Sequence, residues 1–284
     1  MKQLSKIFLA VVALFAYSCA TDTTEDLGVE LGGAKQTTFT LSLEESRTQL
    51  GEKAGEVYPL LWSEGDQISI NGVASTALSA DAAGEASATF SVAGSPAKPY
   101  CIAYPAAAAG QVVFADEQTY TEGTFASGVA PLYGYTDKAG SLALNHLTGV
   151  LRLAVKGNGE ALTSVVFTSE LGKLAGPFTV DCSNGTLVAQ EGASNVVTLT
   201  FAEPLVLGAE TQYLYVAIPA GSYGSFAITL HTATDKMVVK FDSSAKPITA
   251  GKVREFNEFS YTPNTTEESN YFEIDSKEAL IKFA

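Results

Sequence analysis

The side chains of this protein that are able to do chemistry are few. Among 284 residues there are two histidines, His146 and His231, and three cysteines, Cys19, Cys101 and Cys182. Hydrolysis would need an imidazole beside a nucleophile, but no Gly-x-Ser-x-Gly elbow occurs and neither histidine lies in a nucleophile motif. His146 precedes apolar Leu147 and reads as a structural histidine, whereas His231 follows Thr229-Leu230 at a strand end, an exposed position. Glu64 and Asp66 have the spacing of a general acid and base. Gly65 between them reads better as a hairpin corner in which Asp66 bonds its own backbone. Asp181-Cys182-Ser183-Asn184-Gly185 has the outline of a calcium loop but lacks alternating oxygen ligands and a distal glutamate. Cys101 and Cys182 can pair in an oxidising compartment if their Cα atoms approach. Cys101 in Tyr100-Cys101-Ile102-Ala103-Tyr104 can equally be a small buried hydrophobe, and that reading is slightly preferred. The expectation is no catalytic residue, no metal and no cofactor.

Cys19 is a different case. Lys2 and Lys6 give a positive start, Ile7–Tyr17 is an unbroken apolar run of 11 residues, and Ala16-Tyr17-Ser18 leads directly into the cysteine. The run is too short for a membrane span but suits a signal-peptide core. Its end resembles a bacterial lipobox, which implies cleavage after residue 18, acylation of Cys19 and stable anchoring by several acyl chains. Residues 19–35 then read as a flexible tether, with Asp22, Glu25 and Asp26 resembling the acidic export signal of surface-exposed lipoproteins. The expected location is the cell outer membrane, on its exposed face.

Composition narrows the rest. Charged residues make up only 17% and apolar residues 46%, so the chain can build real cores and is not disordered. The net charge is −14, and loss of Lys2 and Lys6 leaves 15 basic against 31 acidic residues. With no Lys/Arg cluster, nucleic acid is not a partner. Thr37–Leu43 alternates polar and apolar, and short runs of the same kind recur at Gln67–Ile70, Ala88–Val92, Tyr100–Tyr104, Gln111–Phe114 and Leu142–Leu144. They continue at Val150–Val155, Ser164–Thr168, Phe178–Val180, Val196–Phe201, Tyr213–Ile218, Phe226–Leu230 and Met237–Phe241. Asn71-Gly72, Gly157-Asn158-Gly159 and Asn184-Gly185 supply turns between them. No helical stripe interrupts the series, and Ala74–Ala86 reads as loop or short strand. An all-β protein of antiparallel sandwiches follows, and about 225 residues suggest two of them. Trp62 and the twelve tyrosines read mainly as packing, with a glycan-stacking platform as the rival role.

Three motifs in order resemble the fimbrillin-like (Mfa-like, FimA-like) surface lipoproteins. Arg47-Thr48 is followed by Trp62-Ser63-Glu64-Gly65-Asp66-Gln67-Ile68; then come Leu144-Asn145-His146-Leu147-Thr148-Gly149 and Tyr213-Leu214-Tyr215-Val216-Ala217-Ile218-Pro219-Ala220-Gly221. The resemblance implies two tandem transthyretin-like β-sandwich domains, at 36–145 and 146–262. It also implies a role as adhesin, anchor or pilus-associated subunit, with fimbrial subunits or host and bacterial surface ligands as partners. In such pilins a trypsin-like protease removes the first strand and a partner's strand fills the groove; Arg47 stands at the matching place. Residues 263–284 depart from a simple pilin, since Asn270–Lys282 reads as a strand entering a helix, the start of a further module. Retention of the first strand is therefore expected ahead of its cleavage. The alternative function is a glycan-binding outer-membrane lipoprotein serving carbohydrate capture.

Overall fold

A computed structural model describes residues 35–43, 61–242, 247–263 and 270–272. Cys19, Arg47, the signal segment, nearly all of the tether and the part of Asn270–Lys282 beyond residue 272 lie outside the described residues.

The regular elements of the described residues are all β-strands, apart from one 3-10 turn at Ala80–Ala82. Its N-terminal core lies between two sheets. One has the order β4 (Ser87–Ala93), β1 (Gln36–Ser42), β9 (Gly140–Ala143). The other runs β10 (Asn145–His146), β8 (Leu132–Thr136), β5 (Tyr100–Tyr104), β2 (Ser69–Ile70), β3 (Val73–Ala74). Phe39, Leu41, Phe90 and Val92 from the first sheet meet Ile70, Ile102, Tyr104 and Leu132 from the second. Asn71 and Gly72, both at positive φ, close the β2–β3 hairpin, as the Asn-Gly pair requires.

The C-terminal core lies between a second pair of sheets. The smaller has the order β16 (Gln212–Pro219), β11 (Thr148–Lys156), β19 (Val253–Glu255), with β20 (Phe259–Ser260) also alongside β11. The larger runs β21 (Asn270–Phe272), β18 (Lys236–Asp242), β17 (Ser225–Thr232), β12 (Ala161–Ser169), β15 (Val196–Val206), β7 (Glu117–Thr119). Leu151, Leu153 and Val155 face Val165, Phe167, Ile228 and Leu230 across the layer. Alternation is clean along β17 and along β12 from Ser164, past a register shift between Leu162 and Ser164, because each has one buried face. β11 is buried almost throughout, since residues near Phe125 and Val129 pack on its outer side against Val150, Tyr215 and Ala217.

A fifth sheet joins the halves. It has the order β14 (Thr186–Ala189), β13 (Gly176–Asp181), β6 (Gln111–Phe114), so a strand before residue 145 pairs with one well beyond it. β7 does likewise, running parallel to β15. Phe114, Phe178 and Val180 turn inward, onto the outer face of the N-terminal sheet.

Candidate functional site

The first strand is the element on which an assembly role would turn. Phe39 and Leu41 are wholly buried, Leu43 nearly so, and the Phe39 ring meets Tyr100 edge-on at 5.1 Å. On the other face the hydroxyls of Thr38 and Thr40 bond those of Ser91 and Thr89 at 3.3 and 3.1 Å. β1 pairs antiparallel with β4 from Gln36↔Ala93 to Ser42↔Ser87, and parallel with β9 from Phe39↔Gly140 to Ser42↔Ala143. It is therefore a central strand. Its departure would open two sheet edges and a trough lined by apolar side chains, a surface suited to another extended strand.

The Trp-x-x-Gly-Asp segment is a lock for the turn before β2. Trp62 is about 1% exposed, its ring edge-on to Phe90 at 4.8 Å and Tyr104 at 5.2 Å. Gly65 takes a positive φ that lets the chain reverse, and the Ser63 N–H donates to Asp66 Oδ2 at 2.7 Å. The Tyr104 hydroxyl donates to Asp66 Oδ1 at 2.8 Å. Burial raises the Asp66 carboxyl above its ordinary pKa, outweighing the bonds from Ser63 and Tyr104 that lower it. Burial and the Asp66 charge together push the Tyr104 phenol far up, so it stays a neutral donor. Glu64 is exposed at the corner. The pair is a turn with a buried strut, and Trp62 offers no face to a sugar.

The other reactive side chains are dispersed. His146 sits in β10 opposite Leu132, half-buried, its ring closing on Gly251, where an added Cβ would come 2.8 Å from Cδ2. His231 is in β17, opposite Ser164 and Lys236, in a different sheet. Asp181 spends its carboxylate on its own turn: Oδ1 accepts from Ser183 N–H at 3.0 Å and the Ser183 hydroxyl at 2.7 Å, and Oδ2 accepts from Asn184 Nδ2 at 2.9 Å. Those bonds, the Ser183 hydroxyl first, hold its pKa below the usual carboxylate value. No cluster of three potential metal ligands exists among the described residues. Tyr135 and Tyr213 are the tyrosines most open to solvent among these residues. Arg152 places its guanidinium 4.6 Å from the Tyr213 ring and pairs with Glu255 at 3.0 Å.

Cys101 and Cys182 come together. Their Cα atoms are 5.6 Å apart, 81 residues distant in sequence, with the sulfurs in bonding contact. Cys101, which the sequence also offers as a small buried hydrophobe, is half-buried, and strand parity sets its direction. Tyr100, Ile102 and Tyr104 point into the N-terminal core, so Cys101 and Ala103 point out, toward β6 and β13. Nearby, Gly185 has a positive φ and lies under Tyr133, whose ring atoms would be 2.5 Å from an added Cβ.

Gln118 had no signal in the sequence. It is about 2% exposed, and its side-chain amide mimics a strand at the outer edge of β16. Nε2 donates to the Ala217 carbonyl at 2.6 Å, and Oε1 accepts the Ala217 N–H at 3.0 Å. The edge of one C-terminal sheet is thereby tied to the edge of the other. Only the burial that tertiary structure confers distinguishes this glutamine from its polar neighbours Glu117 and Thr119.

No protein-family model matches the chain, and no curated protein does. Among solved structures it is similar to a candidate cell adhesion protein from Bacteroides ovatus, with 10% identity, TM-score 0.48, and 81% of this chain and 93% of that one covered. A second such protein, from Bacteroides uniformis, gives 14% identity, TM-score 0.46, and coverage of 80% and 95%. The tip fimbrial protein Mfa3 from Porphyromonas gingivalis, with a C-terminal truncation, gives 10%, 0.31, and 81% and 96%.

Proposed function

We propose that this protein is a non-catalytic cell-surface lipoprotein of fimbrillin type, acting as an adhesin, anchor or pilus-associated subunit, held in the outer membrane by acylated Cys19. One observation carries the reading: the described residues of the three motifs that resemble fimbrillin-like lipoproteins occupy scaffold positions. Trp62 and Asp66 build a turn, His146 packs on Gly251, and Tyr215 to Ile218 form the interior of β16. Partners are fimbrial subunits or ligands on host or bacterial surfaces, engaged by the outer sheet faces and loops. The glycan-capture alternative loses Trp62 and is left with Tyr135 and Tyr213, so it is the weaker of the two.

In this reading the strand before Arg47 is retained. Its pairing along its whole length with β4, and from Phe39 to Ser42 with β9, favours a permanent place, although cleavage after Arg47 would free a groove of the right chemistry. Protease shaving of intact cells and membrane fractionation test the proposal. Wild-type protein should be lost on shaving and recovered with the outer membrane, and Cys19→Ala should be released or left as precursor. Protection of wild type in intact cells would remove the surface role.

A further inference from the structure

We propose that a Cys101–Cys182 disulfide is a mechanical staple that makes the two halves of the chain bear load as one body. The bond would join two central strands. β5 is paired on both sides, with β2 and β8, and Cys182 directly follows β13, which is paired on both sides with β14 and β6. The Cα separation of 5.6 Å lies within the roughly 4.4–6.8 Å that a disulfide spans. Around the sulfurs, Ala103, Val112, Leu147, Phe178 and Val180 form a dry apolar patch, and Tyr133 closes over Gly185.

Without the bond, the halves hold each other through short elements. β6 and β13 share four paired positions, and β7 and β15 share three. Such short ladders peel readily when the chain is pulled, since each residue pair is loaded in turn. With the bond in place, tension entering through β1 and β4 passes from Cys101 straight to Cys182. Every residue between them, from β6 to the end of β13, is then bypassed. The β6–β13 ladder cannot then be peeled from its ends, because both of its strands lie inside the segment that the bond closes. An adhesin holding a surface against flow needs that property.

Formation of the bond takes two thiols. Each loses a proton, the pair gives up two electrons, and an envelope dithiol–disulfide oxidase is the acceptor, leaving as the reduced dithiol. The proposal rests on the functional reading only in requiring export to a compartment that holds such an oxidant.

Single-molecule force extension of the purified mature chain tests it, held at both ends with and without a phosphine reductant. The oxidised chain should fall short of the reduced chain's full extension by about 28 nm, the length of 81 extended residues at ~3.5 Å each. The reduced chain should show an added low-force event, before the sandwiches rupture, as the junction opens. Cys101→Ala/Cys182→Ala should behave like the reduced chain, and reduction of the native protein serves if that variant does not fold. Equal extension in both states would overturn the proposal, because no bond exists. A bond verified by thiol blocking, with no junction event after reduction, would overturn it too. Neither result bears on whether the protein sits on the cell surface, which the shaving experiment decides separately.

Discussion

Replacing Gln118 by leucine should cost far more than a polar-to-apolar change in a short edge strand normally does. Leucine is close to glutamine in volume, so the site stays filled. What is lost is the pair of bonds to Ala217, whose own residue is about 1% exposed. Ala217 pairs with Val150 of β11, and its N–H and C=O point to the opposite side, where Gln118 is the partner. Each buried backbone group left unsatisfied costs about 1–3 kcal/mol, so Gln118→Leu should destabilise by about 2–6 kcal/mol. With a urea slope of about 1–3 kcal/mol per molar, the midpoint should fall by at least roughly 0.7 M. Urea unfolding of the mature chain, with hydrogen exchange at the Ala217 amide, reads both consequences: the midpoint falls, and that amide exchanges faster. Gln118→Glu sharpens the test. The carboxylate keeps an acceptor for the Ala217 N–H but sets a second acceptor against its carbonyl, so the defect should shrink on acidification as the carboxyl regains a proton. A Gln118→Leu protein within about 0.5 kcal/mol of wild type, with the Ala217 amide still protected, would refute the reasoning.

Leu41→Ala removes a wholly buried side chain near the C-terminal end of β1 and should cost about 2–5 kcal/mol in urea unfolding; a smaller loss would mean that β1 contributes little to the first core. Asp66 binds its proton more tightly folded than unfolded, so its contribution to stability should grow as pH falls from its raised pKa toward the ordinary value and be lost as pH rises through it. Thermal melts of Asp66→Asn across mildly acid pH should lack that component, and parallel pH profiles for the two proteins would contradict the assignment. Gly185→Ala forces a Cβ into the Tyr133 ring at a positive φ and should cost about 2 kcal/mol by thermal unfolding. Adding Tyr133→Ala should make the double variant less damaged than the sum of its parts, and strict additivity would rule out the contact.

The strands with one buried face were legible because burial writes period two into the residues. β12, β17 and β1 are of that kind, and the expected and observed spans overlap closely. β8 was not foreseen because Gly134 reads as a breaker in Leu132-Tyr133-Gly134-Tyr135-Thr136. Its absence of a side chain is what the site needs: Leu142 and Leu144 methyls lie 2.7 and 2.8 Å from where a Cβ would stand. β7 and β14 are short and mostly exposed, so nothing in Glu117-Gln118-Thr119 or Thr186–Ala189 sets them apart from loop. Segment 74–86, expected as loop or short strand, contains the end of β3 and a single 3-10 turn. The pairing of β6 with β13 escaped for a different reason, since registers between distant segments leave no local periodicity. One clue to the junction was present. Tyr100-Cys101-Ile102-Ala103-Tyr104 has no strongly polar alternate, the mark of a strand covered on both faces, and the structure covers it on both.

The central claim is that this all-β chain works at the cell surface, anchored by Cys19 and with its first strand in place. Mass spectrometry of the N-terminal peptide from protein extracted from the outer membrane tests it most directly. The account predicts a mature chain that begins at acylated Cys19 and runs on through Gln36–Ser42. An unacylated N-terminus, or an intact Met1, would contradict the anchor, and a mature chain beginning at Thr48 would contradict retention of the strand.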